Sequence, residues 1–266
     1  MERHFDPNNA WRKVATAIYR KPEDSKIFGT VELDVTDLEI FVKRKRQEGL
    51  KITLMHPFIL FVARALKNEV PQLNCYVRRG RIIAREQIDA MVSVLQRDGE
   101  QLGSVMVPNA DTLTLAGLAD ILARDVQQTR KGAEKGASNQ KMLLATLPWP
   151  FRGWLVRLLR IFVIDWGIYL PFPGFSSDSF GSFVFSNVGS IGIDIAYPAL
   201  MPVSNLTMVV TMGSVQTKPA VVDGQIVPRR LLVMSAALDH RVVDASHGGR
   251  LFRYLKKAIK NPESLL

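Results

Sequence analysis

Apolar and polar residues alternate with different periods along the N-terminal part of the chain. Residues 27–35 alternate at every second position, which predicts a β-strand, because successive strand side chains point to opposite faces. Residues 37–48 follow a helical period, with Thr36 as the predicted cap and Gly49 as the predicted stop. Residues 53–69 are apolar along one side and predict a buried helix.

The remaining pattern predicts further strands and helices in both parts of the chain. In the N-terminal part the predicted helices are 10–20, ended by Pro22, and 113–128, capped by Asp111 or Thr112, and the predicted strands are 74–77, 81–84, 89–95 and 103–107. In the C-terminal part the predicted strands are 180–187, 205–215 and 230–238, with a hairpin at 221–227 turning at Asp223-Gly224 and a final helix at 246–260. This mixture predicts the α/β class, a sandwich of a mixed sheet and flanking helices.

Two segments interrupt these elements. Residues 131–140 are small and polar, which is typical of a loop. Neither side of this loop shows a complete core of its own, so we predict a single domain over residues 1–266. Residues 142–178 form an apolar connection that is interrupted by arginines and prolines, so it predicts no membrane span.

Composition narrows the class of protein. Apolar residues make up 47% and charged residues 23%, which excludes intrinsic disorder, a collagen and a disulfide scaffold. Cys75 is the one cysteine, and the first residues lack the apolar stretch of a signal peptide. We therefore expect a cytoplasmic protein.

The net charge of +10 is concentrated in one stretch. Eight basic residues lie between Arg124 and Arg160, opposed by Asp125 and Glu134 alone. Three interpretations of this stretch are open. It is a solvated face, a surface that attracts an anionic ligand or a membrane, or a surface that binds nucleic acid. Since no nucleic-acid-binding motif accompanies it, we expect no nucleic-acid partner.

The sharpest candidate for chemistry is Asp239-His240-Arg241-Val242-Val243-Asp244, between a predicted strand and a predicted helix. A histidine at the end of a strand is well placed to project into a cleft and to take up a proton at neutral pH. The carboxylate of Asp244, four residues later, is suited to hold the turn. The alternative is a surface histidine in a charged turn.

A second candidate is Ser186-Asn187, where two polar side chains interrupt an apolar strand just before Val188-Gly189. Such side chains can donate hydrogen bonds to a developing oxyanion. The alternative is ordinary hydrogen bonding at the end of a strand.

Other candidates are weaker. His4 lies near the terminus, His56 most simply caps or packs at a helix start, and His247 lies at the start of the last helix. Cys75 lies in an apolar strand pattern and is not expected to be a nucleophile. Without a second cysteine or suitable histidine spacing we expect no metal site, and no phosphate-binding glycine motif is present.

Taken together, the two candidates resemble a known family. The segments FVFSNVGSIGID (183–194), KPAVVDGQIVPRRLLVMSAALDHRVVDAS (218–246) and RLFRYLKKAIKNPESLL (250–266) resemble the catalytic domain of the dihydrolipoyl acyltransferases of 2-oxoacid dehydrogenase complexes. The D-H-R-V-x-D pattern of that family is complete here, and the N-terminal half is similar more loosely.

The resemblance implies a chloramphenicol-acetyltransferase-like fold that assembles as homotrimers, or multiples of trimers, with each active site between two subunits. Coenzyme A or acyl-coenzyme A would be a substrate. His240 would be the general base and Asp244 mainly structural, with an arginine such as Arg12 as its partner. A Ser or Asn at Asn187, next to Ser186, would stabilise the oxyanion from the neighbouring subunit.

This sequence departs from the family in four ways. Residues 1–266 contain no counterpart of a lipoyl domain, so we expect no covalent lipoyl group on this chain, and free acyl-coenzyme A or a separate lipoyl or acyl carrier as its partner. Ala245 replaces a glycine, which would matter if that position needed positive φ. Ile27-Phe28 replaces a Pro-His pair, and the connection at 142–178 is enlarged and contains tryptophans.

Three functions therefore remain open. The first is a coenzyme-A-dependent acyltransferase that uses His240 and moves an acyl group between a thioester and a thiol, hydroxyl or amine. The second is a non-catalytic trimeric scaffold or regulatory subunit of a 2-oxoacid dehydrogenase-like assembly. The third, compatible with the first, is docking on a membrane or partner through 142–175, where the enlarged connection could instead cover the acceptor entrance, form a subunit contact or pack on the outside.

Overall fold

A computed structural model describes residues 25–95, 102–130, 148, 151–168, 180–201 and 204–266 of the chain. The strands are β1 (Lys26–Asp34), β2 (Cys75–Arg78), β3 (Arg81–Ala84), β4 (Ala90–Leu95), β5 (Leu102–Val107), β6 (Phe183–Asn187), β7 (Met208–Met212), β8 (Gln216–Val222) and β9 (Gln225–Asp239). The α-helices are α1 (Thr36–Gln47), α2 (Met55–Asn68), α3 (Leu115–Arg130), α4 (Phe151–Leu159) and α5 (Ala245–Ala258), and a π-helical turn at Arg160–Asp165 extends α4. The predicted helix at 10–20 lies outside the described residues.

Seven strands form one mixed sheet in the order β1-β9-β7-β6-β4-β5, with β8 paired to the first part of β9. Strand β6 runs parallel to both β4 and β7, and the other pairs are antiparallel. Strands β2 and β3 form a separate hairpin. The predicted α/β class with a mixed sheet is therefore confirmed.

The main core lies between one face of the sheet and the helices. Phe183 and Phe185 on β6 and Phe58 and Phe61 on α2 are fully buried there. On the other face of the sheet a smaller cluster joins Val209 and Ala237 to Leu200 and Leu206. Strands β6, β7 and β9 therefore pack against apolar side chains on both faces of the sheet.

Helix starts differ from the predictions. Thr36 is the first residue of α1, and its N–H donates to the Asp34 carboxylate at 3.1 Å, so Asp34 supplies the oxygen that Thr36 was expected to supply. In α3 the Thr114 hydroxyl accepts from the Gly117 N–H at 3.2 Å, so the predicted caps Asp111 and Thr112 are wrong. The predicted stop of α1 is confirmed, since Gly49 has a φ of 101°.

The ends of the central strands also differ. Strands β6 and β7 are shorter than the predicted 180–187 and 205–215, whereas β9 is longer than 230–238. Gly213 follows β7 directly, and a Cβ at this position would lie 1.8 Å from the Asp194 carbonyl oxygen. The backbone of the segment after β6 thus passes too close to the end of β7 for any side chain.

Among the described helices, none is both long enough and apolar enough to cross a membrane.

Candidate active site

The turn that carries His240 is fixed by backbone hydrogen bonds on both sides. The Asp239 N–H donates to the Thr207 carbonyl at 2.9 Å, and the His240 N–H donates to the Ser25 carbonyl at 2.6 Å. The N–H groups of Val242 and Val243 both donate back to the Asp239 carbonyl, at 3.0 and 3.1 Å. His240 therefore projects from a tight turn between β9 and α5.

Asp239 and Arg241 form a buried ion pair on either side of His240. The guanidinium Nη2 lies 2.6 Å from Asp239 Oδ2, and Nε lies 3.0 Å from Oδ1. The same carboxylate accepts the Arg241 backbone N–H at 3.0 Å. The arginine of the motif thus pairs with the carboxylate that precedes His240, which the sequence pattern did not indicate.

The imidazole of His240 is oriented through Nδ1. This nitrogen lies 3.0 Å from the Val243 carbonyl oxygen and 3.3 Å from Asp244 Oδ1. A carbonyl oxygen and a carboxylate can only accept, so Nδ1 carries the proton and, in the neutral ring, Nε2 carries the lone pair. With 27% of its side chain exposed, His240 is a partly accessible base of defined tautomer.

Asp244 links His240 to helix α5. It is the cap residue of α5, and its N–H donates to His247 Nδ1 at 3.0 Å, which is half of a capping box. Ala245 is the first helical residue of α5, so its backbone is right-handed and the loss of the family's glycine strains nothing here. Arg12, the predicted partner of Asp244, lies outside the described residues.

Ser186 and Asn187 end strand β6 as predicted. Asn187 Oδ1 accepts the Ser190 N–H at 3.2 Å, which caps a short 3₁₀ turn at Val188–Ile191. Because an N–H can only donate, this contact identifies Oδ1 and leaves the amide Nδ2 as the donor end of Asn187. A Cβ on Gly189 would lie 2.5 Å from the backbone of Gly213, so the glycine of this motif is required for close packing.

A cleft of about 790 Å³ lies beside Asn187. One side comes from the 3₁₀ turn and from residues 212–215 at the end of β7, and the other from helix α1 and the start of α2. Two cations of α1, Lys43 and Arg46, line the cleft together with the carboxylate of Glu39. The cleft therefore offers apolar side chains, such as Val42, Leu54 and Met212, and cations that could face an anionic ligand.

His240 and Asn187 lie at opposite ends of the sheet. Asn187 is level with Met212 of β7, and Met212 is level with Met234 of β9. His240 follows the far end of β9 at Asp239, about 17 Å further along the strand at roughly 3.4 Å per residue. The two predicted parts of the site are thus not brought together within one chain.

The remaining candidates have structural roles where they are described. Burial lowers the pKa of His56 to about 4, and its Nδ1 accepts the Thr53 N–H at 3.1 Å, so this ring is a neutral cap. Burial raises the pKa of the Cys75 thiol to about 12, which makes it a poor nucleophile, as expected. His4 lies outside the described residues, and within them no cluster of three His, Cys, Asp or Glu could hold a metal ion.

Sequence reasoning missed the two cations of the cleft. Lys43 and Arg46 lie in the run Lys43-Arg44-Lys45-Arg46, where the sequence indicates only a solvated helix end. The two cations are far from Asn187 along the chain. They share a cleft with Asn187 only because α1 packs beside the ends of β6 and β7, which the sequence pattern does not indicate.

The fold is that of the chloramphenicol acetyltransferases and of the acyltransferase cores of multienzyme complexes. A chloramphenicol acetyltransferase matches with a TM-score of 0.53 and 12% identity, covering 97% of this chain and 100% of the other. The dihydrolipoamide acetyltransferase of Azotobacter vinelandii matches with a TM-score of 0.66 and 20% identity, covering 96% of this chain and 88% of that one.

The chain belongs to the family of the 2-oxoacid dehydrogenase acyltransferases, as their catalytic domain, whose family model matches residues 13–141 and 177–266. A curated relative is the dihydrolipoyllysine-residue succinyltransferase component of a mitochondrial 2-oxoglutarate dehydrogenase complex of Arabidopsis thaliana, 24% identical over 276 residues and covering 100% of this chain. The chain spans about half the length of the curated relatives that it matches, 49% and 48% of the first two. The stretch that the family model omits coincides with the enlarged connection.

Proposed function

We propose that the protein is an acyltransferase that moves an acyl group between coenzyme A and an acceptor thiol, hydroxyl or amine, with His240 as the general base. The observation that carries this proposal is the orientation of His240, whose Nδ1 lies 3.0 Å from a carbonyl oxygen and 3.3 Å from a carboxylate oxygen. Nε2 is then the nitrogen that can take up a proton. Family membership supports the same reaction class.

One solved relative supports the choice of residues. The structure of the Azotobacter vinelandii acetyltransferase was determined to examine a serine, a histidine and an asparagine in its catalytic mechanism, the last two being four positions apart. His240 and Asp244 have the same separation, with an aspartate in place of the asparagine. Ser186 lies before His240 in this chain, in the same order as the serine and the histidine of the Azotobacter vinelandii protein.

In the proposed reaction, His240 Nε2 removes the proton of the acceptor as the acceptor attacks the thioester carbonyl. The new bond gives a tetrahedral intermediate whose oxyanion is stabilised by a hydrogen bond from Asn187 Nδ2. Collapse of this intermediate breaks the bond between carbon and sulfur, and the imidazolium returns its proton to the leaving thiolate of coenzyme A. With a thiol acceptor the reaction also runs in reverse.

The proposed site needs two copies of the chain, because His240 and Asn187 lie at opposite ends of one sheet. The segment that follows Asn187 supports such a contact. Its apolar side chains are solvent-exposed in the single chain, with exposed fractions of 54% at Ile191, 50% at Ile195 and 61% at Tyr197. Burying this stretch against a neighbouring copy would remove a large apolar surface from water. We propose a trimer, as the family resemblance implies.

Coenzyme A would enter along the cleft beside Asn187. Lys43 and Arg46 line this cleft and carry the positive charge that phosphate groups require. The acceptor would then approach from the side of His240, which belongs to the other copy. This arrangement keeps the two substrates on opposite sides of the reacting carbonyl.

The test is titration calorimetry with coenzyme A and acetyl-coenzyme A, followed by an assay of acetyl transfer to dihydrolipoamide. We expect binding, and a loss of transfer by about 10²–10⁴-fold in His240→Ala with binding retained. Cys75→Ala is the control, since it removes the buried thiol of the one cysteine without touching His240 and should keep full transfer. A folded oligomer that binds neither ligand would instead support the non-catalytic scaffold.

A further inference from the structure

Helix α4 turns its apolar side toward solvent. Phe151, Trp154 and Leu155 have exposed fractions of 66%, 65% and 37%, and Phe162 in the following π turn has 40%. Their positions follow the three- and four-residue spacing of a single helix face. An amphipathic helix of a globular protein normally buries this face, so its exposure requires an explanation.

The orientation of this segment is fixed by the body of the protein. Val163 and Ile164 are buried, with exposed fractions of 2% and 5%. The Arg79 N–H donates to the Asp165 carbonyl and Arg79 Nε donates to the Trp166 carbonyl, both at 3.0 Å. Residues 151–168 are therefore held on the β2–β3 hairpin with the aromatic side outward.

Arginines of the hairpin lie beside one end of this apolar face, at Trp166. Arg78, Arg79 and Arg81 of the hairpin line a cavity of about 570 Å³ together with Trp166. Residues 151–168 contain three arginines and one acid, Asp165, whose carboxylate lies 3.8 Å from Arg160. We name the exposed Phe151, Trp154, Leu155, Phe162 and Trp166, with the arginines of the hairpin, the aromatic–arginine surface.

We propose that the aromatic–arginine surface binds the headgroup region of a lipid bilayer that contains anionic lipids. Tryptophan, phenylalanine and leucine side chains insert at the boundary between headgroups and acyl chains, while arginines contact lipid phosphates. The exposed side of α4 provides the apolar part, and the hairpin arginines beside Trp166 provide the cationic part.

Charge disfavours a second copy as the occupant. A symmetric contact of this surface with itself would place the hairpin arginines of one copy against those of the other, in a protein of net charge +10. An anionic bilayer neutralises the same arginines. The apolar part of the surface, in residues 151–168, also belongs to the stretch that the family model omits, since the model matches residues 13–141 and 177–266, while the hairpin arginines lie in the matched part. The apolar part is therefore an addition to the shared fold.

The hairpin that carries the aromatic–arginine surface lies at the same end of the sheet as His240. The Thr207 carbonyl accepts the Asp239 N–H at 2.9 Å, and the Thr207 hydroxyl donates to the carbonyl of Cys75, the first residue of β2. The hairpin that holds residues 151–168 thus packs beside the strand end that precedes His240.

Flotation of the full chain with lipid vesicles tests the proposal. We expect the protein to float with vesicles of equimolar phosphatidylcholine and phosphatidylglycerol, and to stay at the bottom of the gradient with phosphatidylcholine alone. Trp154→Ala combined with Phe162→Ala should weaken binding by about tenfold or more, because two inserted rings are lost. Arg81→Gln should weaken it by about fivefold, the effect of one cation near an anionic surface.

The matched control is Val221→Ala combined with Ile226→Ala in the β8–β9 hairpin, where the two apolar side chains are 73% and 77% exposed. The arginines of this hairpin, Arg229 and Arg230, pair with Asp34 and Glu39. This variant should float like the wild type. The proposal is wrong if the wild-type chain does not float with anionic vesicles, or if the Trp154/Phe162 variant floats equally well. A fall in solution mass in that variant, without any vesicle binding by the wild type, would assign the surface to a protein contact.

Discussion

The side chains of Asp239 and Arg241 pair through three hydrogen bonds directly beside His240 and are only 5% and 9% exposed. The pair holds the residues before and after the histidine in one rigid unit. His240 is therefore positioned by a buried ion pair on its own turn, as well as by Val243 and Asp244.

Breaking this pair should destabilise the fold. Asp239→Asn leaves the buried guanidinium of Arg241 without a counter-charge, which we expect to cost about 3–5 kcal/mol of unfolding free energy. Urea unfolding measures the change. Asp223→Asn in the exposed turn of the β8–β9 hairpin should leave stability within about 0.5 kcal/mol of the wild type. Equal effects of the two substitutions would show that the ion pair contributes nothing specific.

Asn187→Asp separates a structural role from a catalytic one. The aspartate keeps an oxygen for the Ser190 N–H, which lies 3.2 Å from Oδ1, but loses the Nδ2 donor and adds a negative charge. We therefore expect a fold of normal stability and a fall in acyl transfer by at least about 10²–10³-fold. Unchanged transfer in this variant would remove Asn187 from the mechanism.

A mixing experiment tests whether the site is shared between copies. His240→Ala and Asn187→Asp chains should each be nearly inactive. When they are co-assembled in equal amounts, one contact in about four joins an intact His240 to an intact Asn187, so about a quarter of wild-type activity should return. If each chain held a complete site, no activity would return on mixing.

The buried ring of His56 should make stability depend on pH. Burial lowers its pKa from 6.5 to about 4. Above 6.5 the ring is neutral in both the folded and the unfolded chain, so it has no effect on stability there. As the pH falls from 6.5 to about 4, the unfolded chain binds a proton that the folded chain does not, and unfolding free energy falls by up to about 3 kcal/mol.

Urea unfolding at about pH 7 and about pH 5 measures this loss against His56→Gln, whose side chain does not titrate. The contribution of His56 is the part of the wild-type loss that the variant lacks. Parallel losses in both proteins would place the pH dependence elsewhere.

Gly213 should tolerate no side chain. A Cβ there would lie 1.8 Å from the Asp194 carbonyl oxygen, so Gly213→Ala must displace the backbone beside Asn187. We expect a loss of about 1–3 kcal/mol or more in unfolding free energy, together with weaker binding of coenzyme A. Gly249→Ala is the control, since this glycine of α5 has open space around it and should gain about 0.5–1 kcal/mol.

Local patterns in the sequence were sufficient for most elements of the fold. The strand at 27–35, the helix at 53–69 and the Asp223-Gly224 turn were confirmed, because period and turn chemistry act over a few residues. Helix caps were less predictable, because several nearby residues can accept a hydrogen bond from the first turn. Asp34 takes this role where Thr36 was predicted, and Thr114 takes it where Asp111 or Thr112 was predicted.

The arrangement of the candidate site could be predicted only in part. His240, Asp244, Ser186 and Asn187 occupy strand ends and turns as expected. The strand order β9-β7-β6, which separates His240 from Asn187, depends on pairings between distant parts of the chain. The same long-range packing places Lys43 and Arg46 beside Asn187.

Because His240 and Asn187 lie at opposite ends of one sheet, the specific activity should depend on the concentration of the enzyme. Each copy would give one half of a site to one neighbour and receive the other half from another, so a closed ring holds as many sites as chains. A dissociated chain would hold none. Specific activity should then fall on dilution below the dissociation constant of the ring, and assembly itself would act as the switch that turns catalysis on.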